Sequence, residues 1–206
     1  MKVVCTADTH GMHKHFEVPD GDIFIFGGDI SETGRTEELI DFNHFLGELP
    51  HEYKIFTDGN HDLSPGKISN LITNAVYLQH ELLEIENIRI WGTSWQYWLF
   101  DQINRKKNQA NPQELWEEIP TGIDILITHF PPYGIGDLTR SGSHLGSKDL
   151  LTAILRIKPK YHIFGHVHES YGLFKEKVNN FEIILINASA IIGFGTDLNP
   201  PIIFTL

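Results

Sequence analysis

One cysteine in 206 residues leaves no partner for an internal disulfide. Cys5 stands in an apolar run between Val4 and Thr6, the setting of a small buried hydrophobe rather than a nucleophile. Basic residues are scarce as well: 16 Lys and Arg against 27 Asp and Glu give a formal net charge of −11. That balance argues against a broad nucleic-acid surface, which needs clustered Lys and Arg to displace counterions from phosphates. A small anionic ligand stays open, with local positive charge coming from metal ions held by acidic and imidazole side chains. No apolar run approaches the roughly 20 residues of a membrane helix, and Lys2 to Ala7 reads as a strand rather than a signal peptide. No membrane partner is therefore expected, and the expected compartment is the cytoplasm. Internal repeats and low-complexity stretches are missing too, and the length suits one α/β domain over residues 1–206.

What is present is a set of short apolar runs that nearly all stop at the same kind of turn. Lys2 to Ala7 ends at Asp8-Thr9-His10-Gly11, and Asp22 to Phe26 ends at Gly27-Gly28-Asp29. Tyr53 to Thr57 runs into Asp58-Gly59-Asn60-His61-Asp62, Ile123 to Thr128 into His129-Phe130-Pro131-Pro132, and Tyr161 to Phe164 into Gly165-His166-Val167-His168. Between these runs lie helical patterns. Thr36 to Leu49 spaces Leu39, Ile40, Phe42, Phe45, Leu46 and Leu49 along one face, with Glu37 and Glu38 in the first turn where the dipole favours them. Ser147 opens a second helix, Lys148 to Arg156, and Pro112 to Glu118 reads as a shorter third. From Val76 to Thr93 and from Tyr171 to Ile186 the pattern changes to extended pairs, the second turned at Val178-Asn179-Asn180, so hairpins join the parallel strands in mixed sheets.

In an open α/β fold, residues that follow strands converge at the carboxyl ends, however far apart they stand in sequence. The five turns supply two carboxylates, Asp8 and Asp29, the Asn60 carbonyl, and the imidazoles of His10, His129, His166 and His168. With no thiolate, this donor set suits hard to borderline divalent ions such as Mn, Fe, Zn or Mg. A carboxylate can bridge two such ions about 3.5–4 Å apart. Asp29 is the natural bridge, because it sits mid-set and Gly27-Gly28 before it allows close backbone approach. Two cations polarise phosphoryl oxygens and lower the pKa of a bridging water, giving a hydroxide that can attack a phosphodiester.

The ordered set of D-x-H, G-D, G-N-H-D, a lone His and G-H-x-H resembles the calcineurin-like metallophosphoesterase superfamily. That resemblance implies a four-layer α-β-β-α sandwich with two mixed β sheets. It implies Asp8, His10, Asp29 and His168 around one metal, and Asp29, Asn60, His129 and His166 around the other. His61 is then the non-ligand catalytic histidine, contacting the phosphate or protonating the leaving oxygen. The runs Gly122 to His129, Phe164 to Gly172, Ile186 to Ser189 and Asn199 to Phe204 resemble the small metallophosphoesterase-domain-containing (UPF0046) branch. Some animal members of that branch have Gly where His166 stands, so this chain is expected to keep a complete second site. The implied cofactor is a pair of divalent ions, manganese first. The implied activity is a hydrolase acting on small phosphate esters as a phosphodiesterase, cyclic nucleotides among the substrates. A phosphomonoesterase with the same metals, a non-catalytic scaffold with the same fold, and a structural-zinc protein are the alternatives.

Two departures stand out. Gly28-Asp29-Ile30-Ser31-Glu32 has Glu where the superfamily often carries a second Asp that orients the catalytic histidine, and Glu32 is expected to do that job with a longer reach. Thr33-Gly34 follows, without the Arg usual in protein Ser/Thr phosphatases, so phosphoprotein substrates are not expected. Trp91, Trp95, Tyr97 and Trp98 gather near an expected loop, with nucleobase stacking and ordinary packing as competing readings. The glycine-rich stretch from Tyr133 to Ser147 carries Arg140 and His144 but lacks the Gly-Lys-Ser/Thr of a nucleotide-binding loop. His13, His15, His44, His51, His80 and His162 read as surface or packing residues.

Overall fold

The computed structural model describes residues 1–62, 65–108, 114–193 and 197–206. In chain order the elements are β1 (Lys2–Thr6), β2 (Ile23–Phe26), α1 (Thr36–Glu48), β3 (Tyr53–Phe56), α2 (Pro65–Leu71), β4 (Val76–Tyr77), β5 (His80–Ile85), β6 (Ile88–Thr93), α3 (Trp95–Asn108), α4 (Glu114–Glu117), β7 (Ile125–Thr128), α5 (Lys148–Ile157), β8 (Tyr161–Phe164), a 3₁₀ turn (His168–Ser170), β9 (Gly172–Val178), β10 (Phe181–Asn187) and β11 (Ile202–Thr205).

Two sheets carry the fold. One runs β11-β1-β2-β3-β4 and the other β5-β6-β7-β8-β10-β9. In the first, β1 to β4 are parallel and β11 closes the edge antiparallel to β1. In the second, β6, β7, β8 and β10 are parallel, while the antiparallel hairpins add β5 and β9 at the edges. Both sheets are therefore mixed. Val76–Tyr77 pairs with β3 rather than joining the β5–β6 hairpin.

The layering follows from side-chain alternation on strands covered on both faces. Val3, Cys5, Ile23, Ile25 and Ile55 of the first sheet meet Ile90, Ile125, Ile127, Ile163 and Ile186 of the second. Val4, Phe24, Phe26 and Phe56 point the other way, onto Leu39, Phe42 and Leu46 of α1 and Ile68 of α2. On the far side Leu126, Phe164, Ile183 and Leu185 pack against α4 and α5 through Trp116, Leu150, Ile154 and Ile157. The result is the expected α-β-β-α sandwich. Cys5 is fully buried in its middle, and burial pushes its thiol pKa up, as a hydrophobe's position would.

Local signals account for the starts of α1 and α5. Glu38 reaches back to accept from the amides of Glu32 (3.1 Å) and Arg35 (2.9 Å), and so fixes the entry to α1. The Ser147 hydroxyl accepts from the Leu150 amide at 3.1 Å and caps α5, which extends to Ile157. Residues 109–113 lie outside the described residues, and with them the expected start of the third helix; its remainder is α4. Two helices were not expected, α2 and α3, and α3 occupies the stretch read as a loop around Trp95 and Trp98.

At the carboxyl ends of the parallel strands the two sheets are joined. The Ala7 amide donates to the Ala188 carbonyl (2.9 Å) and the Ala190 amide to the Ala7 carbonyl (2.8 Å), so the ends of β1 and β10 are zipped together. Everything that follows β1, β2, β3, β7, β8 and β10 is thereby delivered to one place. No helix among the described residues is long and apolar enough to cross a membrane.

Candidate metal centre

The turn after β1 and the turn after β2 are bonded to each other: the Asp8 amide donates to the Gly28 carbonyl (2.9 Å), and the His10 amide to the Asp29 carbonyl (3.1 Å). Asp8, His10, Asp29 and His166 all take left-handed backbone angles, with φ of 51°, 45°, 54° and 71°. Non-glycine residues adopt that region at a cost of order 1–3 kcal/mol each when the surroundings impose it, typically where side chains must be aimed. Here they are aimed inward.

One group contains Asp8, His10 and His168, and a second contains Asp8, Asp29 and His129; in each, the donor atoms lie within 4.8 Å of one another. His10 Nε2 is 3.4 Å from His168 Nε2 and 3.6 Å from Asp29 Oδ2. His168 Nε2 is 3.7 Å from Asp8 Oδ1. On the other side of Asp29, Oδ2 lies 3.4 Å from His129 Nε2. His129 Nε2 lies 3.0 Å and His166 Nδ1 2.8 Å from the same Asn60 Oδ1. All seven expected donors are thus brought together, with Asp29 between the two halves.

Close approach requires glycine at two points. A Cβ on Gly59 would stand 2.1 Å from Asp29 Oδ1, and a Cβ on Gly165 would stand 2.1 Å from Asp8 Oδ2. The backbone passes so near the carboxylates that only hydrogen fits.

Electrostatics distinguishes the groups. Burial alone would raise both buried carboxyls. For Asp8 the contacts with His168 and the charge of His129, and for Asp29 the charge and contact of His129 with the His61 amide, more than offset it, so both stay below the usual carboxylate range. Burial presses the His129 imidazole down, but the Asp29 and Asp8 charges outweigh it and lift it to about 10. Burial, helped by the charge of His129, lowers His166 to about 4. Neither Asp8 nor Asp29 has a Lys or Arg ion-pair partner among the described residues. Two buried anions and convergent imidazole and amide donors, with no Lys or Arg between them, fit a pair of divalent cations that displace the His129 proton, and the lack of thiolate fits borderline to hard ions.

Several supports were not read from sequence. The Ser189 hydroxyl donates to Asp8 Oδ2 at 2.6 Å, and Asn187, whose Oδ1 accepts from the Ser189 amide, also donates to the Gly136 and Val167 carbonyls. Asp62 accepts from the amides of Ile30, Ser31 and Gly59 and from the Ser31 hydroxyl, tying the turn after β2 to the turn after β3. Burial and the nearby Asp29 charge push Asp62 up to about 6. Of the remaining histidines, His13 is buried against Phe42 and Phe45 with Nε2 3.1 Å from Asp41, His162 is buried beside Thr128, and His15 and His44 are exposed, in line with packing and surface roles.

Glu32 departs from its expected task. Its carboxylate Oε2 lies 3.0 Å from Nδ1 of His10, while its backbone carbonyl, not its side chain, lies 2.7 Å from Nδ1 of His61. The carboxylate stays near both rings, since the donor atoms of His10, Glu32 and His61 lie within 4.8 Å of one another. A groove of about 450 Å³ beside these residues is lined by His10, Met12, Glu32, His61, His168, Ile191 and Gly193.

Residues 1–170 match the family model described as calcineurin-like phosphoesterase. The chain belongs to that family. It is 34% identical over 235 residues to Metallophosphoesterase domain-containing protein 1 of Homo sapiens, across 100% of this chain and 71% of that protein. It is 36% identical over 208 residues to UPF0046 protein K07C11.7 of Caenorhabditis elegans, across 92% of this chain and 69% of that one. The resemblance to the UPF0046 branch is borne out by these relatives. Among solved structures, TT1561 of Thermus thermophilus shares the fold with a TM-score of 0.54 at 12% identity, covering 89% of this chain and 88% of that one. As a calcineurin-like phosphoesterase the chain belongs among hydrolases of phosphate esters that use divalent metals.

Proposed function

We propose that this calcineurin-like phosphoesterase is a dinuclear phosphodiesterase, with Asp8, His10, Asp29 and His168 holding one ion and Asp29, Asn60, His129 and His166 the other. The observation that carries this reading is the position of Asp29: its Oδ2 lies 3.6 Å from His10 Nε2 and 3.4 Å from His129 Nε2, one imidazole from each half. Its other oxygen, Oδ1, accepts from the His61 amide at 2.9 Å, which fixes the carboxylate plane with Oδ2 facing both imidazoles. When bound, two divalent ions such as Mn²⁺ supply positive charge that polarises phosphoryl oxygens and acidifies water.

His61 is the residue for proton work. With Nδ1 directed at the Glu32 carbonyl, the Nδ1–H tautomer is fixed and Nε2 is the atom left to meet a phosphoryl or leaving-group oxygen. The Glu32 carboxylate is largely exposed beside the groove, and the Arg140 guanidinium adjoins its Gly193 wall. Met12 and Ile191 give the groove apolar wall for the organic part of the substrate, and its size falls in the range of small-molecule sites. Cyclic nucleotides fit that description as small monoanionic diesters.

The test is turnover of 3′,5′- and 2′,3′-cyclic nucleotides beside the matching nucleoside monophosphates, with Mn²⁺-loaded protein. Higher kcat/KM on the cyclic diesters is the expected result; faster release of phosphate from the monophosphates would replace this reading with a phosphomonoesterase.

A further inference from the structure

Trp95 opens α3, and the helix start is tied to the turn that carries Asn60. The Gln96 amide lies 3.4 Å from Asp58 Oδ1, the Gln96 side chain donates to the Asp62 carbonyl at 3.4 Å, and the Trp95 amide approaches the Asp58 carbonyl at 3.5 Å. From there the indole lies parallel to the His166 ring, with centroids 5.3 Å apart and planes 30° apart. It meets the His129 ring edge-on at 5.8 Å and 84°. The two imidazoles are themselves 5.2 Å apart. Behind the indole, Trp98 at 5.0 Å and Phe130 at 5.6 Å connect it to the hydrophobic core.

We propose that Trp95 is a positioning residue for the Asn60-His129-His166 half of the centre alone, a wall that holds both imidazoles against rotation and so sets the affinity of the second ion. The inference rests on the dinuclear reading above. Its physical basis is the difference between the halves. The His10 ring contacts those of His61 and His168, with the Glu32 carboxylate 3.0 Å from His10 Nδ1 and no indole against these three rings among the described residues. His129 has the Gly27 carbonyl at Nδ1, 3.0 Å away, and its ring is closed from the side by Trp95. For His166 the stacked indole is the ring contact that opposes turning about χ2, a broad torsion that hydrogen bonding at Nδ1 alone leaves soft. Hydrogen-bonded supports of metal ligands change affinity by about 10–100-fold, and a stacked ring that restrains the same torsion acts on the same step. A cation on the imidazole also strengthens its attraction to the indole face.

The experiment is calorimetric Mn²⁺ titration of the metal-stripped 206-residue chain, comparing wild type with Trp95→Ala, Trp95→Phe and Trp98→Ala, and using His166→Ala and His168→Ala to mark which binding step belongs to which half. The expected result is two ions for wild type, and for Trp95→Ala a loss of about 10-fold or more confined to the step that His166→Ala removes. Trp95→Phe restores that step to within a few-fold, because a smaller aromatic ring still stacks. Trp98→Ala belongs to the same aromatic cluster without contacting either imidazole, so it controls for general loosening and leaves the selectivity between steps unchanged. Two ions in wild type with Trp95→Ala unchanged, with both steps weakened equally, or with Trp98→Ala giving the same selective loss, overturns the role of Trp95. Fewer than two ions in wild type overturns the dinuclear reading itself and this inference with it.

Discussion

The Ser189 hydroxyl sits 2.6 Å from Asp8 Oδ2, joining residues 181 positions apart in the chain. The contact exists because β10 ends beside β1 and the Ala7–Ser189 bridge aligns them. It fixes one carboxylate oxygen, and the His166 amide lies 3.0 Å from both oxygens.

Ser189→Ala removes a hydrogen bond to a buried carboxylate, and such bonds to charged groups contribute about 1.5–3 kcal/mol. The metal-free variant is expected to be less stable by about 2 kcal/mol in urea unfolding. Added Mn²⁺ stabilises both proteins, because it binds the folded state, and the difference between them persists. A variant with unchanged midpoint contradicts the contact's role.

Glu32→Gln is expected to weaken the ion held by His10 while leaving the orientation of His61 intact, since the side chain faces His10 and the carbonyl faces His61. Carboxylate partners of metal-ligating histidines carry about 10–100-fold in metal affinity. In turnover assays the loss therefore appears as a higher Mn²⁺ requirement, recovered at saturating metal. A loss of kcat that excess Mn²⁺ does not restore points instead to His61 and contradicts this assignment.

The parts of this architecture that sequence made legible are those in which one short segment carries the whole signal. Each of the five turns follows directly on its strand, so the strand run and the donor residues are read together, and all seven candidate donors were found this way. Ser189 was beyond reach because its meaning depends on a pairing between β1 and β10 that no local pattern states. Glu32 was seen, but that its backbone carbonyl meets His61 at 2.7 Å while its carboxylate lies 3.0 Å from His10 is a matter of turn geometry that residue type does not state. The helix α3 was hidden by aromatic residues that suit strands as well as helices. Ser94 was its available signal: the hydroxyl accepts from the Tyr97 amide at 2.9 Å, an N-cap bond that a Ser before a new periodic segment announces.

Gly59→Ala places a methyl group where Asp29 Oδ1 already lies, at 2.1 Å. The carboxylate between the two halves must move, and a displacement of about 1 Å at a reacting centre costs roughly 100-fold in rate. Steady-state kinetics should show that loss with the circular-dichroism spectrum retained. Gly66→Ala, where nothing lies within 4 Å of the added methyl, is the matching control with normal turnover.

Metal binding is expected to release a proton. His129 is lifted to about 10 by Asp29 and Asp8, so in metal-free protein it stays protonated at pH 7 to 8, and it must lose that proton to bind through Nε2. Because the proton leaves on binding, affinity rises with pH through this window. Titrations in buffers of different ionisation enthalpy should give about one proton released per protein, a number that falls in His129→Ala.

The most direct test of the central claim is hydrolysis of bis-p-nitrophenyl phosphate, beside p-nitrophenyl phosphate, by metal-stripped protein with and without added Mn²⁺. The account predicts diester cleavage that requires metal, exceeds monoester cleavage, and is abolished by Asp29→Asn and by His61→Ala. Cleavage that persists without metal or in Asp29→Asn, or no cleavage with any divalent ion, would contradict it.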